Sequence, residues 1–96
     1  MEIKARQSNT IVILDLGGRI DIDCANFVEA VGQCLRDGFL DILCNFQEVD
    51  FIDYLGISVI VVAYKEVVNF HGRMRFCEVP LHLKWIFSVT GLDKII

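Results

Sequence analysis

The sequence predicts an α/β fold: a single sheet of about four strands with helices packed mainly on one face. Three observations carry this. Residues alternate in character at the start of the chain, as in a strand. Apolar residues recur at helical spacing over 24–35 and again over 57–68. Short apolar runs separate these periodic segments. The resulting order is β-β-α-β-α-β-α. At 96 residues the expectation is one domain, 1–96, with a thin core.

In chain order, "EIKARQ" reads as an exposed strand. Ser8-Asn9 suits a tight turn into "TIVILDL", which makes a β-hairpin. Gly17-Gly18 is expected to end the second strand. Asp23 is a good N-cap for the first helix. Cys24, Phe27, Val28, Val31, Cys34 and Leu35 follow at helical spacing, with Asn26, Glu29, Gln33 and Arg36 on the other side and Gly38 as the stop. "FLDILCNF" has the pattern of a short buried central strand.

The segment from Gly56 sets propensity against pattern. Its Ile and Val content favours strand. Yet Ile57, Ile60, Val61, Tyr64, Val67 and Val68 form one stripe, and Ser58, Lys65, Glu66 and Asn69 group opposite. Tertiary burial overrides propensity, so a helix is expected, stopped by Gly72. "RMRFCEV" is the fourth strand. Pro80 opens a third helix at its first turn, with Leu83, Ile86, Phe87 and Thr90 inward and Gly91 as the stop. "LDKII" is a last short turn.

Two β-α-β units require parallel pairing with right-handed crossovers, which gives strand order 1-2-3-4. Lys4, Arg6, Arg73 and Arg75 then lie on the outer strands, where charge discourages edge-to-edge association.

Composition narrows the function. The chain is 54% hydrophobic, so the core is dense or some apolar surface meets a partner. No apolar run approaches the roughly 18 residues that span a bilayer, and "MEIKARQSNT" has no signal-peptide stretch. A cytoplasmic protein without direct membrane insertion is expected. A net charge of −4 with no basic cluster argues against nucleic acid. Cys24, Cys34, Cys44 and Cys77 form no C-x-x-C pair and no zinc spacing with histidine, so they read as small hydrophobes. No metal or other cofactor is expected.

Partners of parallel sheets gather at the carboxyl ends of the strands. Two loops meet there, "GGRIDIDCAN" and "NFQEVDFIDYLG". They bring Asp21, Asp23, Glu48, Asp50 and Asp53 to one rim, with Arg19 as the accompanying base. N-capping carries most of the weight for Asp23, and competes evenly with a contact role for Asp53. The acids match no EF-hand spacing. His71 and His82 have no nucleophile at diagnostic spacing, and there is no G-x-S-x-G or P-loop, so the chain is not expected to be an enzyme.

"GRID" at 18–21, "VDFIDYLGISVI" at 49–60 and "SVTGLDKII" at 88–96, taken in order, resemble the STAS domain, specifically the anti-sigma factor antagonist family. The resemblance implies a small α/β domain that binds a partner serine kinase, itself the anti-sigma factor. In that family the kinase phosphorylates the second Ser of D-S-S-G, and the modified form no longer binds. Here Asp53 and Gly56 match the motif, but Tyr54 replaces the first Ser and Leu55 the acceptor. Leu55 has no hydroxyl to modify. A further departure is Asn45, where the family often has Asp at the end of the central strand.

The resulting expectation is a non-catalytic module that binds an anti-sigma factor or related GHKL-type serine kinase through Asp21, Asp23, Asp53, Tyr54, Leu55, Gly56 and Ser58. Tyr54 and Leu55 would form an apolar knob. Ser58, in the first turn on the polar side, is a substitute acceptor only if it is more than an exposed helical serine. Trp85 falls between the inner stripe and Lys84, which suggests partial exposure and a surface for a homodimer. The alternative is a cytoplasmic STAS subunit of a larger transporter or signalling scaffold. A phosphate- or nucleotide-handling enzyme is a third reading, and it predicts turnover by the isolated chain.

Overall fold

A computed structural model describes residues 1–91. It contains β1 (Glu2–Ser8), β2 (Ile11–Ile20), α1 (Ala25–Arg36), β3 (Asp41–Ile52), α2 (Tyr54–Asn69), β4 (Arg73–Cys77), a 3-10 turn (Leu81–Leu83) and α3 (Lys84–Thr90). The four strands form one sheet in the order β1-β2-β3-β4. β1 runs antiparallel to β2, and the other two pairings are parallel. The predicted architecture holds. The "LDKII" turn lies outside the described residues.

Period-two alternation explains how the sheet is faced. Val12, Leu14 and Leu16 of β2 and Ile42, Cys44 and Phe46 of β3 are buried beneath the helices. α1 covers them with Phe27, Val31 and Leu35. α2 packs along α1 and adds Ile57, Ile60, Ala63 and Val67. On the opposite face Ile13 and Leu43 are only half-buried. Arg6 on β1 pairs with Asp15 at 2.7 Å, and Arg75 on β4 pairs with Asp41 at 2.9 Å. The outer-strand arginines thus fold inward over that face. The Arg6 and Asn45 hydrogen bonds hold the Asp15 carboxyl below its usual range. The Arg6 pair is exposed and the Arg75 pair part-buried, and with both still reached by solvent they shape the face more than they stabilise it.

Several expectations need correction. β2 does not end at Gly17-Gly18. It runs on to Ile20, with Gly18 in the left-handed region at φ 84°. β3 does not stop at Phe46 but reaches Ile52. Two register shifts, at Asp15/Gly17 and Gly18/Arg19, each leave an extra residue on β3. Such bulges break alternation: Gln47 and Glu48 are both exposed, so the strand's second half reads as loop. Asn45 is therefore mid-strand. It sits opposite Asp15 and donates to its Oδ1 at 2.8 Å, a contact that an aspartate at position 45 would turn into carboxylate repulsion.

Asp23 is not the N-cap of α1. Cys24 holds that position and makes no side-chain cap bond. Asp21 does the local work instead, accepting from the Asp23 backbone N–H at 3.0 Å, while the Cys24 thiol donates to the Arg19 carbonyl at 3.3 Å. The buried stripe of α2 is turned slightly from the predicted one. Gly56, Val59 and Ala63 are inside, Val61 and Tyr64 are half-buried, and Val68 is exposed. His71, not Gly72, takes the left-handed conformation after α2. Gly72 is needed for a different reason: a Cβ there would lie 2.6 Å from the Leu40 carbonyl oxygen. Pro80 precedes a 3-10 turn rather than opening α3 directly.

Candidate functional site

The two strand-to-helix junctions touch. The Asp53 backbone N–H donates to the Ile20 carbonyl at 3.3 Å, which ties the end of β2 to the start of α2. Asp53 is extended, with φ −107° and ψ −178°, and its Oδ1 accepts from the Gly56 N–H at 2.7 Å. That bond satisfies one of the orphan donors of the helix N-terminus. It also fixes the direction in which the next two side chains leave the helix. Tyr54 is 67% exposed and Leu55 52%. Both are exposed at the rim, and neither caps the core.

Gly56 lies directly against Ile20, so α2 begins in contact with β2. Ser58 is exposed, and its hydroxyl donates to the Tyr54 carbonyl at 3.3 Å. The acids divide by role. Asp21 and Asp53 have a carboxylate oxygen engaged by local backbone. Asp23, Glu48 and Asp50 are exposed. Glu48 and Asp50 belong to the extended β3 rather than to a loop. Among the described residues no three His, Cys, Asp or Glu side chains gather as metal ligands. His82 reaches the Asp50 carbonyl at 3.2 Å and braces the 3-10 turn against β3. Trp85 lies outside this rim on α3 and is 56% exposed.

Sequence reasoning missed three apolar members of this surface. Phe51 is exposed at the rim, and the Arg19 guanidinium lies 4.1 Å over its ring. This occupies the rim's cation in a cation–π contact. Ile22, between the two acids of the β2–α1 turn, and Val62 on α2 are also exposed. Alternation was a misleading signal for Phe51: counted from Val49 it turns Phe51 inward, and only the bulge opposite Gly18/Arg19 leaves Val49 and Ile52 both buried with Phe51 exposed. Ile22 carried no signal.

Asp53→Ala removes the cap and is expected to cost about 1 kcal/mol. Urea denaturation followed by circular dichroism reads this as a lowered midpoint with an unchanged slope.

The fold and site define a small mixed α/β domain whose apolar, acid-bordered rim lies at the carboxyl ends of its parallel strands. The chain belongs to the STAS domain family, whose profile matches residues 2–96. It is 23% identical over 96 residues to the anti-sigma-B factor antagonist of Bacillus subtilis, covering 100% of this chain and 88% of that protein. Two solved structures share the fold. The crystal structure of a candidate anti-sigma factor antagonist from Thermotoga maritima has a TM-score of 0.86 at 24% identity, over 98% of this chain and 82% of that one. The Bacillus cell fate determinant SpoIIAA in its phosphorylated form has a TM-score of 0.74 at 18% identity, over 97% and 86%. No helix of the described residues is long and apolar enough to cross a membrane.

Proposed function

We propose that this chain is a non-catalytic cytoplasmic module that binds an anti-sigma factor or related serine kinase-type protein through the Asp53 rim, with no phospho-switch at position 55. The observation that carries this reading is the joint exposure of Tyr54 and Leu55 on a helix start fixed by the Asp53 cap. Exposed aromatic and aliphatic side chains on a rigid element have the makings of a contact centre, because they lose little freedom on binding. Asp21, Asp53 and Gly56 shape the rim, Asp23 adds solvent-facing charge, and Ser58 lies beside the knob. Phosphate at position 55 would add about −1.5 to −2 charges in the middle of an apolar contact. Leucine gives a kinase no hydroxyl there, so binding would be constitutive or governed by another input.

The test is calorimetric titration of purified anti-sigma serine kinase from the same organism. Leu55→Asp is expected to weaken binding at least tenfold, with its thermal midpoint close to wild type because the side chain is exposed. Undiminished affinity in a folded variant removes the knob from the interface. Intact mass after incubation with that kinase and ATP is expected not to change. An added phosphate would establish a switch elsewhere, with Ser58 the first site to map.

A further inference from the structure

The surface beside the knob holds a second feature. α1 and α2 leave an open groove of about 390 Å³ between them, lined by Ile22, Ala25, Val28 and Glu29 on one side and Ser58, Val59 and Val62 on the other. Ile22 and Val62 at its walls are 56% and 53% exposed. Ala25 and Val28 are three apart on α1, and Ser58 and Val62 four apart on α2, so each pair follows one helix face, with Ile22 supplied by the turn that precedes α1. Leu55 lies outside the groove lining, but it stands three residues before Ser58 and seven before Val62, on the same side of α2. Seven steps of 1.5 Å separate Leu55 from Val62, about 10 Å or two helical turns.

Charge is distributed unevenly around this groove. No lysine or arginine lines it. Glu29 lies on its wall, Asp21 and Asp23 flank Ile22, and Asp53 caps α2. Arg19, the cation of that end, is turned over the Phe51 ring. An apolar trough open at an acidic end favours an apolar segment that ends in cations.

We propose that this groove receives an amphipathic helix of the partner protein. The helix presents aliphatic side chains at i, i+3 or i+4, and i+7, and carries Lys or Arg at the end that lies over Asp21, Asp23 and Asp53. This rests on the proposed rim function and extends it: the partner grips the knob and lays a short basic-ended helix along the adjoining groove. Ser58 lies on the groove wall with its hydroxyl turned back to Tyr54, so it offers the helix a neutral surface.

The probes are two synthetic 16-residue helical peptides with the same leucine stripe, one ending in lysines and the other in glutamates. Each is titrated into the full chain and followed by ¹⁵N-resolved NMR. The lysine peptide is expected to bind at least tenfold more tightly, to shift the amides of Ala25, Val28, Ser58 and Val62, and to lose most of its advantage at high salt. Val62→Lys, an exposed substitution that leaves the core intact, is expected to weaken it at least tenfold. Trp85→Ala is expected to leave it unchanged. Equal affinity for the two peptides, failure of both to bind, or shifts centred on Leu81, Trp85 and Val89 would each overturn the proposal. The rim reading fails separately. If kinase affinity drops in Leu55→Asp but not in Val62→Lys, the rim stands and the groove is excluded. If it is unaffected by Leu55→Asp, the rim reading fails and takes this extension with it.

Discussion

Replacing Gly56 with alanine is expected to destabilise the domain by about 3 kcal/mol or more, at the upper end of what overpacking costs. A Cβ at this position would lie 2.0 Å from the Ile20 carbonyl oxygen, 2.6 Å from its carbon and 3.1 Å from the Asp21 nitrogen. All three are backbone atoms, so no rotamer change relieves the overlap. Either α2 moves away from β2 or the β2–α1 turn moves, and both take part in the Asp53-to-Ile20 bond. For a domain of this size, with stability in the general range of about 5–15 kcal/mol, the loss is a large fraction of the whole.

Gly32 provides the internal control. It is also helical, but a Cβ there meets only the flexible end of Arg36, the nearest atom at 3.2 Å. Helix propensity alone favours alanine over glycine by about 1 kcal/mol at such a position. Gly32→Ala is therefore expected to be neutral or stabilising, and Gly56→Ala severely destabilising. Parallel urea titrations decide the matter. Similar midpoints for the two variants would mean that α2 does not begin in contact with Ile20, and the account of how the rim is held would fail.

The contrast between these two glycines shows what was legible in the sequence. Helix positions followed from periodicity, because one face of each helix must be buried, and strand order followed from the right-handed crossovers that two β-α-β units require. The "VDFIDYLGISVI" segment placed the helix start at Asp53, since a capping carboxylate three residues before a backbone donor is a local signal. Gly56 is legible as a motif glycine and an expected contact residue but not as a packing constraint, because that constraint comes from Ile20, 36 residues earlier in numbering. Bulges in β3 hid the strand beyond Phe46, since each extra residue reverses the alternation that identifies a strand. Asp23 was mistaken for a cap because an aspartate before a helix has the same residue pattern whether it caps or, like Asp21, stabilises the preceding turn. The groove was invisible for another reason. Ile22 and Val62 are the residue types that fill cores, and only the packing of α1 on α2 leaves them outside.

Phe46→Ala tests how the carboxyl end of the sheet is tied to α3. Phe46 is fully buried and is the last inward residue of β3 before its first bulge. Its ring lies 5.1 Å from that of Phe76 on β4 and 5.6 Å from that of Phe87 on α3, the latter nearly edge-on. Phe76 and Phe87 close the triangle at 5.4 Å. Removing a buried phenylalanine costs about 3–5 kcal/mol through lost transfer energy and the cavity left behind, and aromatic pairs of this geometry contribute further. The loss should not be uniform. α3 has only seven residues, too few to be stable without tertiary packing. It is held to the sheet by this ring triangle, by Ile86, which is also buried in the core, and by the neighbouring 3-10 turn. Hydrogen exchange is expected to show α3 amides opening far more readily in Phe46→Ala than sheet amides, with Phe46→Leu intermediate. Trp85 supplies an independent signal, because it projects from the same helix: its fluorescence anisotropy should fall in Phe46→Ala under conditions where far-ultraviolet dichroism still reports a folded sheet. Protection lost equally in α3 and the sheet would mean that the triangle contributes only to the common core and does not separately anchor the helix.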